Sequence, residues 1–357
     1  MRPLSAPFRA VGVLACALVL SAGLATSSPP HTASATGPSA PRAISAWLPY
    51  WNADTAYTDA LAHTDQLHTV SPFWYEATSD ASIKAHPGAD DQRIVDGPHA
   101  KKIRVVPTVT ETLDATAMAA LLNDPARRTA HVDALMKIAE SGSYDGLDLD
   151  YEKMAETKDD ALRERVRTGY NKLADELCAM LHNQHMQCVL TVMPRTRTTG
   201  HAFDYAHLGR TADRLRIMGY DLHWAKGGPG PISSLAWYEE ILAHATAHVP
   251  RAKLEVALPG YGWDWTVGSR TRARHVTWHE AEALRRKKKA VYVFDTASGT
   301  PHFAYTDDGG KRHEVWYQDA RGTAAHLNVV RKHGIAATGL WALGFEDPAM
   351  WEAVADR

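Results

Sequence analysis

Residues 143–152 (SYDGLDLDYE) constrain the fold of this chain more than any other stretch. Within them, apolar and acidic side chains alternate: Leu147, Asp148, Leu149, Asp150, Tyr151 and Glu152. Because successive side chains of a β-strand point to opposite faces, this pattern predicts a strand with the three acids on one face. An unpaired buried charge is costly, so an ordinary core strand would not collect three carboxylates. Acids this close cannot all ionise readily, and we expect at least one to keep its proton at neutral pH.

A proton held beside a carboxylate is what general-acid cleavage of a glycosidic bond requires. Two other interpretations of the stretch are a calcium site and a solvated acidic turn. Calcium-binding loops interleave their acids with Asn, Gly and Ser, whereas Leu separates the acids here. The pattern therefore favours catalysis.

Residues 145–152 (DGLDLDYE) closely resemble DGxDxDxE, the active-site signature of glycoside hydrolase family 18, the chitinase family, with no departure at a fixed position. This family uses the acetamido group of its substrate in place of a protein nucleophile. The resemblance implies that Glu152 is the general acid and later the base. Asp150 would hold the acetamido N–H and stabilise the oxazolinium intermediate, and Asp148 would lie behind Asp150 and share its proton. The first two motif residues would be architectural.

Two further elements resemble the same family. Residues 218–221 (MGYD) are similar to its MxYD element, which makes Met218 a substrate-binding candidate. The resemblance implies that Tyr220 donates a hydrogen bond to the acetamido carbonyl oxygen and that Asp221 contacts the same sugar. Trp341 would form the floor beneath that sugar, and Met193 would pack under its acetamido methyl group.

Strand-like and helix-like segments alternate along the folded part of the chain. Besides the acidic stretch, strands are predicted at 44–50, 68–75, 102–109, 189–193, 214–220, 254–259 and 337–343, and helices at 124–141, 163–182 and 235–246. Eight strands with intervening helices indicate an α/β fold of the (β/α)₈ TIM-barrel type, which the family resemblance also implies. No GxGxxG or phosphate loop supports a dinucleotide-binding sheet instead.

About eighty residues separate the last two strands, far more than one loop and helix need. Short strands are predicted there at 290–295, 302–306 and 313–317, with a hairpin turn at 307–310 and a helix at 276–286. We therefore expect a small α+β insertion at 265–318, between strand 7 and helix 7. It resembles the subdomain that forms one wall of the substrate cleft in many family members.

Six tryptophans lie at or just after predicted strand ends: Trp47, Trp51, Trp74, Trp224, Trp263 and Trp265. The C-terminal ends of the strands form the catalytic face of such a barrel, so some of these rings should line a groove. Trp224 and Trp263 are the first candidates, and the sequence does not decide among the other four.

The N-terminus is typical of an export signal. Arg2 and Arg9 precede an apolar, uncharged run that ends in small residues. This pattern predicts a signal peptide at 1–25. A lipoprotein box ending at Cys16 is the alternative, but it lies too early in that run, which is also too short for a confident membrane span. Residues 26–42 are rich in Pro, Ser and Thr and are predicted to be a disordered linker, which leaves 43–357 for the barrel.

Removal of the signal leaves Cys178 and Cys188. In an exported protein this pair favours a disulfide over two buried free thiols. Histidine pairs at 182 and 185 and at 244 and 248 have helical spacing that zinc can use, but neither forms an HExxH pattern, so no metal or other cofactor is expected. The basic run at 285–289 is interpreted as a solvated helix end, with attraction to an anionic cell wall as the alternative.

The sequence thus predicts a secreted, monomeric, retaining glycosidase that cleaves β-1,4 bonds at N-acetylglucosamine in chitin or peptidoglycan. Its C-terminal part and insertion look more like the bacterial spore-cortex and cell-wall branch of the family. A net charge of −2 gives no reason to expect binding to nucleic acid or a stable membrane association. The alternatives are a non-catalytic, lectin-like sugar-binding protein and a hydrolase-inhibitor barrel; both would be expected to have lost an acid or Tyr220.

Overall fold

The computed structural model describes residues 44–78 and 82–355. The predicted signal peptide and linker lie outside these residues. The described strands are β1 Ile44–Pro49, β2 Leu67–Ala77, β3 Ile83–Ala85, β4 Arg104–Val105, β5 Thr108–Glu111, β6 Gly146–Asp150, β7 Gln187–Val192, β8 Arg214–Met218, β9 Leu254–Pro259, β10 Tyr261–Thr266, β11 Arg274–Thr277, β12 Val293–Asp295, β13 Thr300–Thr306, β14 Arg312–Tyr317 and β15 Ala337–Trp341. The helices are α1 Ala53–Ala62, α2 Gln92–Ala100, α3 Ala115–Asn123, α4 Pro125–Ser141, α5 Asp160–Asn183, α6 Tyr205–Thr211, α7 Leu235–His248, α8 Trp278–Lys287, α9 Ala320–Lys332 and α10 Met350–Ala355.

Eight strand positions close into a parallel barrel. Its order is β1-β15-β9-β8-β7-β6-β5-β2, and β2 pairs with β1 to close the circle. The predicted (β/α)₈ barrel is therefore confirmed. The predicted third strand is divided into β4 and β5, which both pair with β2. Pro107 stands in the gap and has no N–H to give to a ladder, which explains the break.

The two faces of the barrel strands differ in chemistry. Leu147 and Leu149 of β6 are fully buried on the outer face, in the apolar layer between barrel and helices. The interior is polar instead: Ser45 donates to Glu255, and Arg216 donates to Ser71 across the barrel. The polar side chains inside the barrel are able to serve a reaction. Because they are buried, they must also form hydrogen bonds with one another.

Helix boundaries follow the capping residues. Asp124 accepts a hydrogen bond from the backbone of Arg127, so α4 begins at Pro125, one residue after the predicted start. Asp159 caps α5 in the same way and starts that helix three residues before the predicted position. Thr277 and Glu280 form a capping box that starts α8.

A five-stranded antiparallel sheet follows β9, in the order β11-β10-β14-β13-β12. Helix α8 packs on one of its faces, through a small cluster that includes Val276, Phe303 and Val315. The sheet confirms the expected α+β insertion between strand 7 and helix 7. It begins at Tyr261 rather than at the predicted residue 265, because β10 starts two residues after β9 ends.

The disulfide between Cys178 and Cys188 is present, with a Cα–Cα distance of 5.2 Å. It joins the last turns of α5 to the start of β7. No helix in the described parts of the chain is long and apolar enough to cross a membrane.

Candidate active site

Two adjoining cavities open at the C-terminal ends of the barrel strands. The larger, of about 950 Å³, is lined by residues that include Met193, Trp224, Thr196 and Lys158. The smaller, of about 450 Å³, is lined by residues that include Asp150, Trp263, Trp341, Trp51, Phe73 and Arg272. Both share four residues: Glu152, Met218, Tyr220 and Asp221. Every predicted site residue except Asp148 therefore lines one cleft, and Asp148 lies buried beneath it.

The start of β6 fixes the position of the acids. A Cβ atom on Gly146 would lie 2.1 Å from the carbonyl oxygen of Gln187 on β7, so only glycine fits this approach. Asp145, just before the strand, accepts from the backbone N–H of Val105 at 2.7 Å and pairs with His99. Both residues are therefore architectural, as the sequence predicted.

Asp148 has four hydrogen-bond donors around it. Its Oδ2 accepts from the Trp47 indole at 3.1 Å, the Thr108 hydroxyl at 2.8 Å and Arg216 Nη1 at 2.9 Å. Its Oδ1 accepts from the Thr191 hydroxyl at 2.7 Å. Burial raises the pKa of Asp148 above its ordinary value, although the Arg216 charge and the two hydroxyls oppose that rise. The predicted sharing of a proton between Asp148 and Asp150 is not among these contacts.

Arg216 belongs to a group that we call the buried ion cluster: Asp148, Arg216 and Glu255. Arg216 Nε lies 2.5 Å from Glu255 Oε1, and its guanidinium carbon lies 4.4 Å from the centre of the Trp47 ring. All three charged side chains are at most 1% exposed. No motif in the sequence pointed to Arg216 or Glu255, although their positions inside barrel strands, where an apolar residue is usual, were a visible signal.

Asp150 is the acid without a partner. Its Oδ1 is buried and has no hydrogen-bond partner in the described parts of the chain. Burial raises the pKa of Asp150 well above its ordinary value, and the negative charges of Glu152, Asp148 and Glu111 raise it further. Asp150 thus lines the smaller cavity, has one buried oxygen without a partner, and holds a proton more tightly than an ordinary aspartate.

Glu152 follows β6 and exposes its side chain to the cleft. Because protein surrounds the carboxyl group and Asp221 and Glu156 lie nearby, the pKa of Glu152 rises to about 7. A carboxylic acid with this pKa can give up and recover a proton near neutral pH, as a general acid–base requires.

Glu111, at the end of β5, holds the turn that carries Glu152. Its Oε2 accepts from the backbone N–H of Glu152 at 3.1 Å, and its Oε1 accepts from the N–H of Met154 at 2.8 Å. Burial raises the pKa of Glu111 to about 8, against the opposing effect of these N–H groups. No sequence pattern pointed to Glu111, because a lone acid at a strand end belongs to no motif.

Asp221 joins the barrel to the insertion. Its Oδ1 accepts from the Tyr261 hydroxyl at 2.6 Å and from the Trp263 indole at 2.8 Å, both on β10. These contacts hold Asp221 in a left-handed backbone conformation, with a φ of 62°. Burial raises the pKa of Asp221, and the two donors oppose that rise. Tyr220 lies beside it with its ring edge on Tyr261.

The tryptophans divide into cleft and core residues. Trp341 packs edge-on against Trp47 and Phe73, and lines the smaller cavity with Trp51 and Trp263. Trp224 is 44% exposed in the larger cavity. Trp47, Trp74 and Trp265 are buried and line neither cavity. Trp237, which no pattern singled out, does line the larger cavity.

The histidine pairs and the basic run have ordinary partners. His182 pairs with Asp213 at 2.8 Å, and His248 Nδ1 contacts the carbonyl oxygen of His244 at 2.7 Å. In residues 44–78 and 82–355 no group of three potential ligands could hold a metal ion. Arg285 pairs with Glu282, and Lys288 pairs with Asp308.

Comparison with known families matches most of the chain. The model of the glycosyl hydrolases family 18 matches residues 47–346. The chain belongs to this family. The resemblance at residues 145–152 and 218–221 is thereby confirmed, and the protein is a family 18 glycosidase.

Relatives of this family 18 glycosidase come from both branches that the sequence suggested. A cortical fragment-lytic enzyme of Bacillus subtilis is 23% identical over 300 residues, which are 82% of this chain and 68% of the relative. An uncharacterized glycosylase of the same organism, YvbX, is 25% identical over 68% of this chain and 69% of its own. The crystal structure of a chitinase from Chromobacterium violaceum aligns with a TM-score of 0.78 at 25% identity, over 88% of this chain and 98% of that chain.

Proposed function

We propose that this protein is a secreted, retaining glycosidase that cleaves the β-1,4 bond after an N-acetylglucosamine residue in chitin or peptidoglycan. The carrying observation is the pairing of Asp150 and Glu152 in one cleft. One acid offers a buried oxygen without a partner, and the other has a pKa of about 7. An acetamido N–H fits the first, and a glycosidic oxygen fits the second.

The smaller cavity is the natural place for the sugar that is attacked. It holds Asp150, and Trp341 can lie beneath the sugar ring. The larger cavity lies on the other side of Glu152 and would take the leaving part of the chain. Tyr220 lies between them, where its hydroxyl can direct the acetamido carbonyl oxygen toward the anomeric carbon.

The first step breaks the glycosidic bond. The acetamido oxygen forms a bond to the anomeric carbon as Glu152 gives its proton to the glycosidic oxygen, and the leaving sugar departs with that proton. The result is a bicyclic oxazolinium ion, whose positive N–H is stabilised by Asp150. In the second step ionised Glu152 takes a proton from water, and the water oxygen attacks the anomeric carbon and reopens the ring. Two displacements at one carbon give net retention.

The names of the relatives support both substrate classes. One is a cortical fragment-lytic enzyme and another a chitinase. Purified protein should therefore be incubated separately with chitin oligomers and with peptidoglycan, and the products identified by mass spectrometry. Fragments with new N-acetylglucosamine reducing ends would support the proposal and identify the substrate. Folded protein that binds either glycan without cleaving it would favour the sugar-binding alternative instead.

A further inference from the structure

Two carboxyl groups meet outside the reacting centre, next to Phe345 in the wall of the smaller cavity. Glu346 belongs to residues 342–347, which follow β15 and which we call the post-barrel loop. It is 4% exposed, and its side chain is hydrogen-bonded to that of Asp59 on α1. An ionised carboxyl group can only accept a hydrogen bond. One of the two acids must therefore carry a proton.

The surroundings of the pair assign the proton to Glu346. Asp59 Oδ2 accepts from the backbone N–H of Gly344 at 3.0 Å, and Asp59 Oδ1 lies 3.5 Å from Nε2 of His63. Glu346 Oε1 accepts from the Trp351 indole at 2.9 Å, whereas its Oε2 is buried and has no donor among the described residues. The acid with more donors around it is the better anion, so Glu346 holds the proton.

The charge state of the pair responds to burial and to its titratable neighbours. Burial raises the pKa of Glu346 well above its ordinary value, and the hydrogen bond and the charge of Asp59 raise it further. His63 follows α1, with Asp65 nearby; burial lowers the pKa of His63, so its ring carries no charge at neutral or alkaline pH. Asp347, next in the loop, accepts two backbone N–H groups instead. Loss of the Glu346 proton would therefore place a second negative charge beside Asp59.

The post-barrel loop connects this pair to the smaller cavity. Phe345 lines the cavity, as does Trp341 at the end of β15. The carbonyl oxygen of Phe345 accepts at 2.8 Å from the backbone N–H of Trp278, the first residue of α8. A Cβ atom on Gly260, in the turn between β9 and β10, would lie 3.0 Å from Glu346 Cβ, so the loop packs directly on that turn. A shift of Glu346 would therefore move part of the cavity wall.

We propose that Asp59 and Glu346 share one proton, and that this proton holds the post-barrel loop against α1 and so positions Phe345 in the smaller cavity. When the proton is lost at alkaline pH, the two acids repel each other, the loop moves, and the cavity binds its sugar less tightly. Glu346 is a positioning residue, because it acts only through the loop. The effect on binding rests on the proposed function, which places a sugar in this cavity, whereas the shared proton does not.

Nuclear magnetic resonance tests the shared proton without any need for activity. The protein would be labelled with ¹³C at the side-chain carboxyl carbons of glutamate, and the Glu346 signal assigned by its loss in E346Q. We expect the signal of a protonated carboxyl group at pH 7 in the wild type. An ionised Glu346 at that pH would overturn the proposal.

The stability of the protein should depend on the same proton. The pKa of Glu346 is raised by folding, so its stabilising contribution is complete below the pKa of the unfolded chain and is lost as the pH rises through the folded-state value. Glutamine at this position can donate to Asp59 and accept from Trp351 without titrating. The melting temperature of E346Q should therefore fall less between pH 6 and pH 9 than that of the wild type. The control is E352Q, the same change at an exposed site on α10, which should follow the wild type.

Binding measurements test the consequence for the cavity. They use the E152Q background, which lacks the proposed acid and cannot titrate at residue 152. Calorimetry should show that E152Q binds a chitin oligomer more weakly at pH 9 than at pH 6. Addition of E346Q should remove about fivefold or more of that loss, the size of a typical coupling between two ligands, here a proton and a sugar. Asp150 titrates in both proteins, so their difference reports Glu346 alone.

D59N gives a second variant in case E346Q does not fold. Its amide can accept from the N–H of Gly344 and donate to an ionised Glu346, so the contact survives at alkaline pH. D59N in the E152Q background should therefore reduce the alkaline loss of affinity as E346Q does. An equal loss in E152Q and in both double variants would overturn the positioning role.

This inference and the proposed function fail separately. A wild-type protein that cleaves neither glycan would contradict the proposed function, while the Glu346 signal would still decide whether the proton is shared. An active wild type with an ionised Glu346 at pH 7 would overturn this inference alone.

Discussion

At the scale of single residues, the site depends on how one short segment distributes protons. Asp148, Asp150 and Glu152 belong to the same ten-residue stretch, yet each meets a different environment. Asp148 has four donors, Asp150 Oδ1 has none among the described residues, and Glu152 faces the cleft. Environment, rather than residue type, thus distinguishes the three acids.

Glu152→Gln should abolish turnover and leave glycan binding nearly intact. The amide keeps the shape of the side chain but cannot give or take a proton, and loss of a general acid–base group typically costs about 10²–10⁴-fold in rate. The measurements are kcat on the cleaved glycan and calorimetric binding of a chitin oligomer. Substantial residual turnover in a folded variant would exclude Glu152 as the acid.

The pH dependence of activity should follow Glu152. Its carboxyl group must be protonated for the first step, and with a pKa of about 7 this form is lost as the pH rises through that value. We therefore expect kcat/KM to fall on the alkaline side of about pH 7. Glu156→Gln removes a nearby charge that raises the Glu152 pKa, so this fall should move to lower pH.

The control for that shift is Glu164→Gln, on the outer part of α5, which should leave the pH profile where it is in the wild type. If Glu156→Gln left the alkaline fall of kcat/KM at the same pH, that fall would belong to a group other than Glu152.

Glu111→Gln should lower kcat with little change in KM. Glutamine presents an N–H₂ group to one of the two backbone N–H donors, so one contact to the turn of Glu152 and Met154 is lost. Displacement of the acid by a fraction of an ångström should cost about 10-fold or more in kcat. Glu176→Gln, which removes only the partner of Arg128 on the outer helices, is the control and should retain full activity.

Motifs made the residues that line the cleft predictable, and did not reach the residues that hold them in place. Glu152, Asp150 and Tyr220 occur in patterns with fixed spacing, so one sequence sufficed. Glu111 contacts the turn after β6 and Arg216 contacts β6 itself, and both contacts join residues that are distant along the chain. Such contacts depend on strand order and register, which no local pattern encodes.

At the scale of elements, periodicity predicted the strands and helices that have one clear environment. Seven of the eight predicted barrel strands appear as single strands. The third is divided at Pro107. Strand β10 was missed because Trp263 and Trp265 were placed at or just after the end of the preceding strand. The turn at Gly260 is too short to leave a composition signal.

Replacement of both Cys178 and Cys188 by Ser should destabilise the protein without impairing catalysis. The disulfide joins α5 to the start of β7, at the end of the barrel opposite the cleft. Loss of a cross-link over a short loop should cost about 2 kcal/mol in the free energy of unfolding. Urea denaturation measures this cost, and kcat at 25 °C should be unchanged. A large loss of kcat in the folded variant would contradict a purely structural role.

At the scale of the whole molecule, we predict that the protein is exported from the cell. Full-length chain expressed in a host with a secretion pathway should appear in the medium without its first 25 residues, a length taken from the charge and apolar pattern of the N-terminus. Intact mass spectrometry of the secreted protein checks the cleavage position. Protein that stays in the cell at full mass would contradict the signal peptide, and a lipid-modified Cys16 would favour the lipoprotein alternative.

The hydrogen bonds of Asp221 have a consequence for engineering. Asp221 lies shortly after β8 of the barrel. Tyr261 and Trp263, on β10 of the insertion, donate hydrogen bonds to its carboxylate. An exchange of insertions between family members would therefore have to leave β10 in place. A graft that begins at residue 267 would keep this anchor, whereas one that begins at residue 261 would replace it. The boundary between the two modules runs through the catalytic centre.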